Sequence, residues 1–239
     1  MVGENRKPIS TKQMEQHITK ENKMPNHCTN NLTIKGNETE VKRFREAITK
    51  PVEGRKSSSG EFAILHNLYP CPIELEETPS IFFMNNDEAK QKQQKLYEAN
   101  IEKFGSPHAY DWKCEKWGTK WGDYDGFITC DVEPRDNGMY FMSLQFLSAW
   151  SPPTAGIEYV SLFYPTLEFV LTFEEGGMGF IGGVSIKNGE TVAERWAEYP
   201  QFDYSDNMTD EQRDEMYEKQ NDSLLELMDE ITEELAVSF

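Results

Sequence analysis

Long apolar runs are missing from this sequence. No stretch of about eighteen apolar residues occurs in the 239, so no segment reads as a membrane-spanning helix. The opening residues, MVGENRKPISTKQ, carry no apolar core of a secretory signal, and export is not expected. Cysteine is scarce. Cys28, Cys71, Cys114 and Cys130 are scattered and form no C-x-x-C, which argues against a disulfide framework and for a reduced, cytoplasmic protein with buried thiols. The four histidines, His17, His27, His66 and His108, never pair with cysteine at the short regular spacing of a structural zinc site. No metal and no other cofactor is expected. Basic residues are also few, 24 Lys and Arg against 42 Asp and Glu, so the electrostatic footprint of a duplex-binding protein is lacking.

What is present in excess is acid, and it is placed unevenly. From Pro165 onward there are 19 Asp and Glu against 4 Lys and Arg, and the last 39 residues carry 13 acids and 2 bases. Such a surface is either simply solvated or docks on a basic partner, including proteins whose own ligand is DNA.

The second excess is local. Trp112, Trp117 and Trp121 put three of the five tryptophans within ten residues, in DWKCEKWGTKWGDYD. Two Trp-Gly steps bracket Thr119 and Lys120. Tryptophan brings a large apolar body and one N–H that needs a partner when buried, and the glycine after it lets the backbone turn. The segment is therefore a packed knot or the wall of a binding site. Lys116 and Lys120 between Trp112, Trp117 and Trp121 supply the stacking and cationic groups that bind single-stranded nucleic acid or a nucleotide. Asp111, Asp123 and Asp125 are candidates for acid–base chemistry, but acceptance of indole N–H groups and capping of turns suits them better. Cys114, near Lys113 and Lys116, is a candidate for a lowered thiol pKa, with no base assigned to it.

Periodicity orders the chain. Residues 1–23 read as a flexible arm. Thr29–Ile34 alternates as a strand, Asn37 with Glu40 forms a capping box, and Val41, Phe44 and Ile48 share one helix face. Phe62–Leu65 reads as a second strand, and about 73–126 as one long insertion holding an exposed helix over Asp87–Phe104. Phe127–Val132 and Tyr140–Phe146 follow as strands. Ser151-Pro152-Pro153 is a helix-start signal, with Ile157, Val160 and Tyr164 on the buried face. Leu167–Phe173 and Phe180–Ile186 pair across Gly176-Gly177; this glycine-rich stretch opens no helix and makes no phosphate cradle. Thr209–Leu235 is helical, with Leu224, Met228, Ile231 and Leu235 as an apolar stripe.

The repeated strand–helix–strand order predicts an α+β protein with a ferredoxin-like antiparallel sheet, helices on one face and an acidic C-terminal helix. The domain is expected at 24–190, with an acidic helical region at 191–239. The uncovered sheet face needs water, a ligand or a cover, and the Trp segment is expected to cover it.

Four stretches carry a resemblance: MPNHCTNNLTIKG (24–36), LYPCPIEL (68–75), YDWKCEKWGTKWGDYD (110–125) and FLSAWSPPTAGIEYVSLFYPTLEFVLTFEEGGMGFIGG (146–183). Together they resemble the YubB-type ferredoxin-like family, also called Api92-like, carried mainly by bacteriophages and conjugative plasmids. The resemblance implies a ferredoxin-like topology and a mobile-element origin. The family has no established catalytic residues, so none transfers here.

The expected function is that of a non-enzymatic phage or plasmid accessory protein, an acidic inhibitor that binds a host or defence protein. Asp222, Glu226, Asp229, Glu230, Glu233 and Glu234 would form the acidic face. The alternative is a module for single strands or a nucleotide, using Trp112, Lys116, Trp117, Lys120 and Trp121. The apolar stripe of the C-terminal helix is expected to pack on its own domain, with a homodimer through that helix as the alternative; no membrane is expected.

Overall fold

A computed structural model describes residues 26–51, 60–80, 86–135, 138–200 and 208–236. The arm at 1–23 and most of the Glu53–Gly60 loop lie outside the described residues. Six antiparallel strands form one sheet: β1 (His27–Gly36), β2 (Tyr124–Pro134), β3 (Tyr140–Ala149), β4 (Glu168–Glu175), β5 (Phe180–Lys187) and β6 (Glu190–Glu198). Their spatial order is β2-β3-β1-β4-β5-β6. The first four in that order, with helices α1 (Glu38–Ile48) and α6 (Thr154–Ser161) as crossovers, make the ferredoxin-like unit; β5 and β6 extend it. Between α1 and β2 lie α2 (Ile64–Leu68), α3 (Ile73–Glu76), α4 (Asp87–Phe104) and α5 (Ala109–Lys116), and α7 (Asp210–Ala236) closes the chain.

Local chemistry explains most of these elements. On β1, Cys28, Asn30, Leu32 and Ile34 are buried while the residues between them are not, the period of a strand. Asn37 caps α1 by accepting the Glu40 N–H at 3.0 Å, and Val41, Phe44 and Ile48 turn inward. The capping box at α7 also forms: Thr209 Oγ1 accepts from the Gln212 N–H, and Gln212 Oε1 accepts from the Thr209 N–H.

Phe62–Leu65 is not a strand. Gly60 makes one bridge to Gly126, and the chain then turns into α2. A short apolar run has no period that separates strand from helix; here a distant carboxylate, Asp123, decides by accepting two N–H groups at the helix start. The second strand of the ferredoxin-like unit is β2. Ser151 does not cap α6: its hydroxyl donates to the Gly118 carbonyl. β6 was not anticipated, because its inward positions are Thr191, Ala193 and Ala197, too small for a hydrophobic alternation to register.

The main core fills the face covered by α1 and α6, where Phe44, Ile157 and Val160 meet Leu32, Leu144, Phe169 and Leu171. Trp112 and Trp117 belong to this same cluster. The Trp segment therefore does not cover the opposite face. That face is half covered by α7, whose Ile231 and Leu235 pack on Val170 and Ile181. Gly183 permits the approach, since a Cβ there would stand 2.6 Å from Leu235 Cδ1 and 3.0 Å from Ile231 Cγ2. The apolar stripe thus packs on its own domain, the first of the two readings of this helix, rather than standing free to join two copies. The other half of the face, over β1 and β3, carries Asn31, Thr33, Ser143 and Gln145.

Candidate functional site

The Trp segment is held by many bonds, most of them structural. Trp117 is fully buried, and its indole N–H donates to the Tyr69 carbonyl at 2.8 Å. Its ring meets Trp112 edge-on at 5.9 Å and His66 at 5.1 Å, with Lys113 Nζ 5.3 Å from its centre. Trp112 is buried against Tyr69, which stacks on Tyr159 of α6 at 3.6 Å. Gly122, at φ +80°, lies where a Cβ would stand 3.0 Å from the Trp117 ring, so the second Trp-Gly step is a tight packing turn. Thr119 Oγ1 donates to the Ala149 carbonyl and accepts the Ala149 N–H, tying the segment to the end of β3.

Of the five residues proposed for stacking, Trp112 and Trp117 are inside. Lys116 pairs with its neighbour Glu115 at 2.7 Å. Of the three tryptophans in the segment, Trp121, 41% exposed, is the one that presents its indole to solvent, with Lys120 Nζ 5.2 Å from its ring centre. Tyr124 lies edge-on to Trp121 and accepts or donates a 2.6 Å hydrogen bond with His27 Nδ1. Burial pushes the Tyr124 hydroxyl up to about 12, helped by the Asp125 charge.

The acids of this region and Cys114 each have their own surroundings. Asp123 is buried; Oδ2 accepts the Ile64 N–H at 2.7 Å and Oδ1 the Leu65 N–H at 2.9 Å. Burial pushes its carboxyl up, opposed by these N–H groups and by His66. Asp111 is exposed, 3.6 Å from His108 Nε2. Asp125 is exposed at φ +49°. Partial burial also pushes the Cys114 thiol up rather than down, the reverse of an activated nucleophile. Among the described residues no three His, Cys, Asp or Glu side chains stand close enough to hold a metal ion. In the glycine-rich turn, the Glu175 carboxylate accepts the Gly177 and Met178 N–H groups and occupies the donors a phosphate would need.

On α7 the six acids expected there, Asp222, Glu226, Asp229, Glu230, Glu233 and Glu234, are all exposed. Glu234 pairs with Arg195 of β6 at 2.7 Å; among the described residues no cation pairs with the other five. Glu211, Glu215 and Glu218 continue the row toward the helix start. Glu211, Glu215, Glu218, Asp222, Glu226, Asp229 and Glu233 follow one another by four or three residues, so they share a side of the helix. The apolar stripe lies on the other side, where Leu224 and Met228 join Ile231 and Leu235 against the sheet. This spacing was available in the sequence and went unread upstream of Asp222. The alternation of β1 shows its polar face in the sequence, but not that Asn31 and Thr33 line a groove beside α7.

Among the described residues no helix is long and apolar enough to cross a membrane. No curated protein matches the chain significantly. The crystal structure of a protein api92 from Yersinia pseudotuberculosis superposes with a TM-score of 0.41 at 13% identity, covering 76% of this chain and all of that one. Residues 116–220 match the family model described as the ferredoxin-like domain in Api92-like protein, and over that span the chain is similar to this family.

Proposed function

We propose that this is a non-enzymatic accessory protein of a bacteriophage or plasmid, acting in the bacterial cytoplasm, that binds a host or defence protein and inhibits it by presenting DNA-like negative charge. The observation that carries the reading is the row of seven exposed carboxylates from Glu211 to Glu233 along α7. At about 1.5 Å per residue the row spans about 33 Å, one charge every ~5 Å. A DNA strand carries one phosphate per ~3.4 Å of axis, the same order. Like charges at i, i+4 weaken a helix, so this row opposes local stability and needs another purpose. Docking of the apolar stripe on the sheet holds the row outward. Carboxylates pairing with Lys and Arg of the target would steer association and make it salt-sensitive.

The test is capture of a protein from host lysate by the tagged full chain, compared with a variant carrying Asp222→Asn, Glu226→Gln, Asp229→Asn and Glu233→Gln. Capture that survives nuclease, weakens with salt and is lost in the variant is expected. Undiminished capture by a folded variant overturns the reading.

A second reading, binding of single strands or a nucleotide, is favoured by one observation: Trp121 and Phe127 are 41% and 45% exposed at the edge of the half-open sheet face. Quenching of tryptophan fluorescence by oligonucleotide, lost on Trp121→Ala, is its signature.

A further inference from the structure

Between α7 and the half-open sheet face runs a groove of about 230 Å³. Its floor is Asn31, Thr33, Val170 and Thr172 of β1 and β4; its wall is Leu225, Met228, Asp229 and Thr232 of α7. Sites for small molecules usually measure about 300–1,000 Å³, so this space suits one side chain rather than a larger ligand.

Two features on opposite walls point to what fits. Thr172 is only 4% exposed and lines the groove, and its hydroxyl bonds no other described residue. The hydroxyl is not sealed from solvent but opens onto the groove, so an incoming donor can take the place of the water it meets there. Across from it Asp229 has no cationic partner among the described residues. The other sheet polar groups are partly engaged: Asn31 Oδ1 accepts from Gln145 Nε2 at 3.0 Å and keeps one lone pair, and Thr33 bonds Ser143 at 3.2 Å. The groove thus offers acceptors at its polar end. Beside them Met228 and Leu225, the latter 65% exposed, form an apolar wall.

We infer that this groove is the seat of an arginine side chain from the partner protein. The guanidinium carries five donors and a fixed charge, matching the Asp229 carboxylate, the Thr172 hydroxyl and Asn31 Oδ1 together. Its methylene stem lies on Leu225 and Met228. An anion is repelled by Asp229 and by the neighbouring row of carboxylates. The inference rests on the acidic-face reading for its partner, and it adds a specific anchor to what is otherwise diffuse attraction.

The experiment follows the Met228 and Thr172 methyl signals of the full chain by NMR, with N-acetylarginine amide as probe and its neutral isostere N-acetylcitrulline amide as control. Saturable shifts with the arginine compound and none with the citrulline compound are expected. Thr172→Val should weaken binding about fivefold and Thr172→Ser restore it, while Asp229→Asn weakens it at least tenfold. Glu102→Gln, the same charge change at an exposed position of α4, should alter it less than twofold. Equal response to both compounds, or equal effects of Asp229→Asn and Glu102→Gln, overturns the groove. A tetra-arginine peptide separates the two ideas. If it binds at low salt and every carboxylate loss weakens it equally, the acidic face stands and the anchor falls. If it does not bind at low salt, the acidic-face reading falls, and the methyl shifts still judge the groove.

Discussion

Asp123 caps a helix that starts far upstream of it: its Oδ2 accepts the Ile64 N–H at 2.7 Å across 59 residues of sequence. The same carboxylate takes the Leu65 N–H at 2.9 Å. Removing it leaves two helix N–H groups buried without acceptors. Asp123→Ala should therefore lower stability by about 2–4 kcal/mol in urea denaturation. Asp123→Asn keeps one acceptor and turns an NH₂ toward the other donor, so it should be intermediate. A loss below about 1 kcal/mol for the alanine variant contradicts the capping role.

Trp117 and Trp121 sit four residues apart and should behave oppositely. Trp117→Phe keeps much of the ring but leaves the Tyr69 carbonyl without the indole N–H at 2.8 Å, and should cost about 2–3 kcal/mol. Trp121→Ala, at a half-exposed site, should stay within about 1 kcal/mol. Equal losses in thermal or urea unfolding would remove the distinction between core and surface indoles drawn from burial.

The contrast also shows what is legible in a sequence. Val41, Phe44 and Ile48 announced α1 because each lies on one helical face, and Asn37 announced its start. The ferredoxin-like arrangement followed from element order, although Phe62–Leu65 was assigned to the wrong one. That error has a physical source: the acceptor that makes Ile64 a helix start is Asp123, and nothing local encodes it. The same holds for the site. The acids of α7 are visible as spacing, whereas the groove needs β4 and α7 brought together. Trp density marked the segment but left it open between a packed knot and a binding wall, because density alone does not say which indoles face water.

Gly183 lies under α7, where an added Cβ would meet Leu235 Cδ1 at 2.6 Å. Gly183→Val should lift the end of α7 from the sheet while the core beneath α1 and α6 stays packed. Hydrogen exchange is the direct readout: amides around Ile231–Leu235 should lose protection, and those of β1 and β3 should keep theirs. Retained protection in α7 would show that the helix accommodates the side chain. Loss throughout would show that the helix and the sheet unfold together.

Glu174, paired with Thr29 at the edge of the half-open face, has its carboxyl pushed up by burial alone. A raised carboxyl binds its proton more tightly in the folded chain than in the unfolded one. Its contribution to stability is then full below the ordinary glutamate value of about 4.3 and is lost as pH rises through the folded value. Glu174→Gln should accordingly raise the urea midpoint at pH 7, and the gain should vanish near pH 4. An equal gain at both pH values would trace the effect to packing rather than ionisation.

The carboxylates of α7 should leave a signature in stability as well as in binding. Asp222 and Glu226 are four residues apart, as are Glu226 and Glu230, Asp229 and Glu233, and Glu230 and Glu234, all exposed. Each such pair costs a few tenths of a kcal/mol at low ionic strength, and salt screens it over about 8–10 Å. Raising salt from about 0.05 to 0.5 M should therefore protect the α7 amides from exchange in the native chain. Replacing Asp222, Glu226, Asp229 and Glu233 with their amides should give that protection at low salt already, and remove most of the salt dependence. The same substitutions are expected to abolish binding to a basic partner. A variant whose helix is steadier but whose partner is lost would separate the two roles proposed for these side chains: weakening the helix they stand on and supplying charge to a basic partner.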